Sequence, residues 1–361
     1  MKLLSLVLVA ACGTVSEQPD APVPDAAPVD PCNDLDGAGC EYASPAHPVA
    51  MIEGYTVEDP ILVRANPILL RYPTDATGPL PIVVWSHGGD FDNNGHHLND
   101  AWGETIAAAG WAVIHVAHTV PDATQIRAMC IHAGVSMAEC TASTFQPASV
   151  ARPRDVIALL DDLPAITARL RDLTGIEIDA TRVVVAGWSA GSQAPLVLAG
   201  AVRTITPSLT RFAFSDPRPL AAIALSPQGP EFSGFFETAT DNSWSAIGKP
   251  VLVMTGDNDL NPSNPTLSGG IRRRAFDDLT GGRLDQHLLY SPLPDGVGGH
   301  NTYNLGDAAS DDVQLVRLSS ALSSTLRAFL DRSIGDPAGA AYLASDLPAR
   351  LAGSATEWSS K

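Results

Sequence analysis

A β-branched apolar run that breaks into a tight, small-residue turn constrains this chain more than any other feature. Arg182-Val-Val-Val-Ala-Gly187-Trp188-Ser189-Ala190-Gly191-Ser192 reads as a strand ending in G-x-S-x-G. A small-residue helical pattern follows, from Gln193 to Ala201. A strand-to-helix turn this sharp admits only small flanking residues, hence Gly187 and Gly191. Its strain lifts the serine hydroxyl over the edge of a sheet, where it can be deprotonated and attack a carbonyl. Ser189 is the candidate nucleophile.

The rest of the chain supplies the sheet. Short apolar runs occur at Ile68–Tyr72, Ile82–Ser86, Ala112–Ala117, Arg182–Ala186, Ala221–Leu225, Val251–Thr255 and His287–Tyr290. Helical periodicity lies between them, at His97–Ala109, Pro153–Arg171, Gly191–Ala201, Ile271–Asp278 and Asp312–Asp331. This alternation predicts an α/β fold, with a mostly parallel central sheet covered by helices on both faces. No linker interrupts it, so one domain over residues 48–345 is expected, with a tail over 346–361.

A serine nucleophile needs a base, and the base needs an orienting acid. Gly256-Asp257-Asn258-Asp259 follows the run Val251–Thr255, where a loop at the C-terminal end of a strand is expected. Asp259 is the candidate acid and Asp257 its rival. Gly298-Gly299-His300-Asn301 lies beyond the last strand candidate. His287, the other histidine beyond Ser189, opens a strand at the wrong end, so His300 is the candidate base. An oxyanion hole needs two backbone N–H groups aimed at one point. One should come from Ala190, the residue after the serine. The other should come from Ile82-Val-Val-Trp-Ser-His87-Gly88-Gly89, whose glycines let the backbone approach a substrate. It is assigned to Gly89, with Asp90 as the neighbouring alternative. His87 reads as a loop brace.

The motifs Trp85-Ser-His-Gly-Gly, Val113-Ile-His-Val-Ala-His118, Arg152-Pro-Arg-Asp-Val, Val185-Ala-Gly-Trp-Ser-Ala-Gly and Pro250-Val-Leu-Val-Met-Thr-Gly-Asp-Asn-Asp259 occur in that order. In this the chain resembles the predicted dienelactone hydrolase group of the α/β-hydrolase superfamily. That group is similar to platelet-activating-factor acetylhydrolase and, more distantly, to cutinases and polyester hydrolases. The resemblance covers roughly residues 50–345, and the order Ser189, Asp259, His300 is the superfamily's order. It implies a triad of those residues, a backbone donor at Gly89, and hydrolysis of carboxylic esters through an acyl-enzyme without cofactor or metal. Dienelactone hydrolase itself uses a cysteine nucleophile, so Ser189 argues against its lactone chemistry. The substrate is expected to be a small-molecule or polymeric ester. The motif does not encode which, so lipid, polyester and feruloyl esters stay open, as does a non-catalytic binding protein on the same fold.

The N-terminus reads as an export signal. Leu3 to Ala11 is an apolar run too short to span a bilayer, and residues 1–11 fit a signal peptide. Val9-Ala10-Ala11-Cys12 resembles a bacterial lipobox, which implies lipidation at Cys12 and a cell-envelope or secreted location. Any membrane contact would be through that anchor. Residues 12–47 form a tether, Pro-, Asp- and Ala-rich over Pro19–Pro31. A net charge of −18 argues against nucleic acid and anionic lipid surfaces. The remaining cysteines pair by their short spacings as Cys32–Cys40 and Cys130–Cys140, each contributing on the order of 2–3 kcal/mol. The stretch 121–150, stapled by Cys130–Cys140, reads as an insertion that is either a lid or a surface excursion. Trp188, Phe232, Phe235 and Phe236 are candidates for an apolar acyl pocket, or else core. Asp90-Phe-Asp-Asn-Asn-Gly95 starts like a calcium loop. Its twelfth position is Ala101 instead of glutamate, so no metal is expected.

Overall fold

Alternate side chains of the buried runs part to opposite sides. Val83 and Trp85 enter one apolar core with Val113, Val184 and Ala186. Ile82 and Val84, one residue out of phase, enter another with Ala112, Ile114, Val183 and Val185. Runs buried on both faces need no polar alternation, which explains their continuous apolar character. The computed structural model describes residues 41–42, 45–141, 146–205, 210–230, 243–260, 269–281, 285–292, 296–352 and 354–361. The expected signal peptide, residues 12–40 of the expected tether with Cys12, Cys32 and Cys40, and Phe232, Phe235 and Phe236 lie outside them. The end of the tether is part of the fold: Tyr42 is buried in the core and its hydroxyl donates to Asp331 at 2.6 Å.

The strands are β1 (Val49–Asp59), β2 (Arg64–Pro73), β3 (Leu80–Ser86), β4 (Ala112–Val116), β5 (Ile178–Trp188), β6 (Val202–Ile205), β7 (Thr210–Ala213), β8 (Pro219–Leu225), β9 (Val251–Gly256), β10 (Gln286–Ser291) and β11 (Glu357–Ser360). The α-helices are α1 (Asp100–Ala108), α2 (Ala123–His132), α3 (Met137–Cys140), α4 (Ala148–Thr174), α5 (Gln193–Leu198), α6 (Arg274–Asp277), α7 (Val313–Ser333), α8 (Pro337–Ala341) and α9 (Leu347–Leu351). A nine-stranded sheet runs β1-β2-β4-β3-β5-β8-β9-β10-β11, and β6 pairs with β7 in a separate ribbon. From β4 to β10 every pairing is parallel, while β1, β2 and β11 run antiparallel to their neighbours. This is an α/β fold. Residues of α1 and α7 fill the core on one face. Residues of α4, α5 and α6 fill the cores on the other.

β3 lies between β4 and β5, so the chain winds first to one side of it and then to the other. Such a switch opens a crevice beyond the C-terminal strand ends, where ligands of α/β sheets bind. Ser86 pairs with Gly187, and Trp188 with Leu225, so the loops leaving β3, β5 and β8 emerge side by side.

Besides the β6–β7 ribbon and the short helices α2, α3, α8 and α9, which no sequence run announced, three stretches differ from expectation. Glu357–Ser360, in the expected tail, is the ninth strand, and its Trp358 stacks on His287 at 4.9 Å. β1 precedes the first expected strand. It is half exposed and bulged between Ile52 and Tyr55, with Gly54 at φ 78, which blurs its alternation. α4 begins before Pro153, which therefore sits inside the helix. The Ser149 carbonyl, which Pro153 cannot serve, accepts from Arg203 Nη1 at 3.4 Å. Cys130 and Cys140 are joined in a disulfide. The stapled segment buries Met129, Ala133 and Val135 against Leu62, Val150 and Ala151. Among the described residues no helix is long and apolar enough to cross a membrane.

Candidate active site

The turn after β5 has the geometry its sequence demands. Ser189 sits at φ 54, a left-handed conformation that a residue with a side chain adopts only under constraint. A Cβ on Gly187 would fall 2.4 Å from the Gly191 carbonyl oxygen, and one on Gly191 would fall 2.0 Å from that of Ser86. Both flanking glycines are thus required by close backbone approach.

Ser189, His300 and Asp259 are brought together. His300 Nε2 lies 2.9 Å from Ser189 Oγ, and His300 Nδ1 lies 2.6 Å from Asp259 Oδ1. Asp259 is fully buried, whereas Ser189 and His300 are partly open to solvent. The second carboxylate oxygen of Asp259 accepts from the Thr255 hydroxyl at 2.8 Å. Arg272, buried beneath, donates from Nε to the Asp259 carbonyl at 2.7 Å and from Nη1 to the Ser226 and Pro227 carbonyls. Its Nε also lies 3.3 Å from Asp259 Oδ1. This guanidinium fastens the loop after β9 to the loop after β8. Asp257 faces elsewhere and accepts from the Tyr290 hydroxyl at 2.5 Å. Burial first, and the Asp257 carboxylate second, push the Tyr290 phenol far above its ordinary value. His287 lies at the far end of β10, hydrogen-bonded to Ser360 at 2.9 Å.

Trp188 links the pieces. Its ring packs on His300 with centroids 4.7 Å apart, and its indole N–H donates to the His300 carbonyl at 3.3 Å. It also fills the space a side chain at position 88 would need, with Cε3 2.2 Å from a Cβ built there. Gly88 is therefore fixed by Trp188, and the turn carrying Ser189 is wedged against the loop after β3.

That loop presents Gly89 at the surface, at φ 75, with nothing within 4 Å of a Cβ placed on it. The Gly89 amide donates to no acceptor among the described residues. Ala190 lies in the first turn after the strand, where N–H groups have no intrahelical acceptor. His87 lies behind the loop. It donates from Nδ1 to the Gly88 carbonyl at 2.7 Å and accepts the His118 amide at Nε2, 3.2 Å away. Both partners require the neutral ring protonated at Nδ1. Burial, reinforced by His118 and Arg152, pushes His87 far below its ordinary value in agreement. Asp92, in the abortive calcium loop, accepts the Asn94 amide at 2.8 Å and closes a polar turn.

A second Ser-His-Asp chain, which sequence reasoning missed, lies under the same loop. Ser86 Oγ is 2.8 Å from His118 Nε2, and His118 Nδ1 is 2.9 Å from Asp155 Oδ2. Arg64 and Asn66 also donate to Asp155. All five residues are buried. Burial, with the Arg152 and Arg64 charges beside it, pushes the His118 imidazole well below its ordinary value and keeps it neutral. Arg152 completes the cluster, donating to the carbonyls of His87, Gly89 and Asp90. The available signal was the spacing of Arg152 and Asp155, which places both on one face of α4. Neither its charge pattern nor its periodicity told that this face is buried.

No protein-family model matches the chain, and no curated protein matches it significantly.

Proposed function

We propose that the chain is a serine hydrolase of the α/β-hydrolase superfamily that cleaves carboxylic esters. One observation carries the reading: the unbroken hydrogen-bond chain from Ser189 through His300 to Asp259, with the serine held at positive φ on a strand-to-helix turn. Two antiparallel strands followed by a parallel run, with serine, acid and histidine on the loops after β5, β9 and β10, support the superfamily.

In this reading His300 Nε2 takes the proton of Ser189 Oγ as the oxygen attacks the ester carbonyl. The Asp259 carboxylate holds the Nδ1–H tautomer and stabilises the imidazolium. The amides of Gly89 and Ala190 receive the charge that develops on the carbonyl oxygen. His300 then protonates the leaving alkoxide, and the C–O bond breaks to give an acyl-enzyme and a free alcohol. Water, deprotonated by the same ring, attacks the acyl carbonyl, releases the acid and restores Ser189. The partly open Trp188 ring forms one wall, against which the acyl or alcohol group packs. Export, with or without a lipid at Cys12, is part of the same reading. The Cys130–Cys140 disulfide supports it, because such bonds persist in oxidising compartments.

The test is hydrolysis of p-nitrophenyl esters from acetate to palmitate. The wild type should turn over at least one of them, and Ser189→Ala should not. A folded wild type without Ser189-dependent turnover on any ester would remove the reading and favour a binding protein.

A further inference from the structure

The loop from His87 to Asp90 is held in an unusual way. All four of its carbonyl oxygens accept hydrogen bonds from just two side chains. His87 takes the Gly88 carbonyl. Arg152 takes the others, with Nη1 2.5 Å from the His87 oxygen and Nη2 2.6 Å and 3.1 Å from those of Gly89 and Asp90. A trans peptide is planar, so fixing a carbonyl also fixes the following N–H, which points the opposite way. Pinning the Gly88 carbonyl aims the Gly89 amide, and pinning the carbonyls on either side prevents that plane from turning about its ends.

Arg152 is fully buried on α4 and, among the described residues, no carboxylate lies within ion-pair distance of it. Its direct partners are backbone carbonyls, while the Asp155 and Asp90 carboxylates stabilise its charge from beyond ion-pair distance. Burial lowers its pKa only to about 10, so it remains a cation at neutral pH. The planar guanidinium can reach three divergent carbonyls at once, whereas a lysine ammonium in the same space is a single point of donation. We propose that Arg152 is a positioning residue for the oxyanion-binding loop, holding the His87, Gly89 and Asp90 carbonyls inward so that the Gly89 amide faces the substrate carbonyl. It acts through the backbone and touches no substrate. This inference rests on the ester-hydrolase reading above.

The experiment compares wild type, Arg152→Lys and Arg152→Gln on one p-nitrophenyl ester and on its thiono analogue, in which sulfur replaces the carbonyl oxygen. Sulfur is larger and a poorer hydrogen-bond acceptor, so the preference for oxygen reports how well the loop amides are aimed. Titration with a phosphonate counts competent sites, so partial unfolding does not enter kcat. We expect kcat on the oxygen ester to fall about 10²-fold, the cost of one misdirected oxyanion donor, with KM nearly unchanged. The preference for oxygen over sulfur should shrink in both variants, and Arg152→Lys should recover less than a tenth of the lost kcat. A variant that slows both esters equally, or keeps wild-type kcat per competent site, overturns the proposal. A wild type whose turnover does not depend on Ser189 fails the ester-hydrolase reading first and takes this proposal with it. Retained Ser189-dependent turnover with an unchanged oxygen preference fails this proposal alone.

Discussion

Two serines in this molecule keep nearly the same company. Ser189 stands 2.9 Å from His300, which stands 2.6 Å from Asp259. Ser86 stands 2.8 Å from His118, which stands 2.9 Å from Asp155. Hydrogen-bond geometry alone does not separate them. Access and backbone do. Ser189 is partly exposed on a left-handed turn, beside an open amide at Gly89. Ser86 ends a regular strand, fully buried, with its acid also held by Arg64 and Asn66. A Ser-His-Asp chain becomes a candidate nucleophile only where an electrophile can arrive and its developing charge can be received. Elsewhere the same three side chains are a brace for a polar core.

The largest expected contrast between the two chains is in turnover. Ser189→Ala should lower kcat by roughly 10⁶-fold with an unchanged melting temperature, the loss typical of removing a triad serine. Ser86→Ala should leave kcat per competent site nearly unchanged. It should cost about 1–3 kcal/mol in urea unfolding, because it leaves the buried His118 nitrogen without its donor. If both serines lower kcat alike, the distinction between nucleophile and brace is lost. The acids sharpen the comparison. Asp259→Asn should reduce kcat about 10⁴-fold by favouring the wrong tautomer of His300. Asp257→Asn should only weaken the contact with Tyr290. Steady-state kinetics on the two variants decide between them, and equal activities would undo the assignment of Asp259. Asp155→Asn should act on the other axis, destabilising the fold by about 3–5 kcal/mol through an uncompensated Arg64.

A further effect is a pH dependence that belongs to the brace. His87 and His118 have folded pKa values pushed below the ordinary 6.5, chiefly by burial. As pH falls through that value, the unfolded chain takes up protons that the folded chain refuses. Stability is therefore at its full value above pH 6.5 and falls below it, by up to about 1.4 kcal/mol per pH unit for each such histidine. Urea midpoints at pH 7 and pH 5 measure the loss, and His118→Gln should reduce it by the share of one histidine. An unchanged slope in that variant would mean that His118 is not held neutral.

Much of this was legible in the sequence because the relevant physics is local. Runs buried on both faces are apolar throughout, and a strand breaking at Gly187 and Gly191 can make only one kind of turn. Loop position after successive strands pointed to His300 and to the loop holding Asp257 and Asp259, and the hydrogen bond from His300 separates those two. Half-exposed edges were not legible. β1 carries a bulge at Gly54, and β11 is too short for its alternation to register. Nor was the buried polar cluster. Ser86, His118 and Asp155 come from three separate elements, and α4 turns Arg152 and Asp155 inward. Charged residues inside a domain are read from sequence as solvated, and only their partners show otherwise.

The most direct measurement is labelling of the folded protein with a fluorophosphonate, followed by peptide mapping. A single stoichiometric adduct on Ser189, absent from Ser189→Ala and undiminished in Ser86→Ala, is the predicted result. An adduct on Ser86, or none on a folded wild type, would contradict the account.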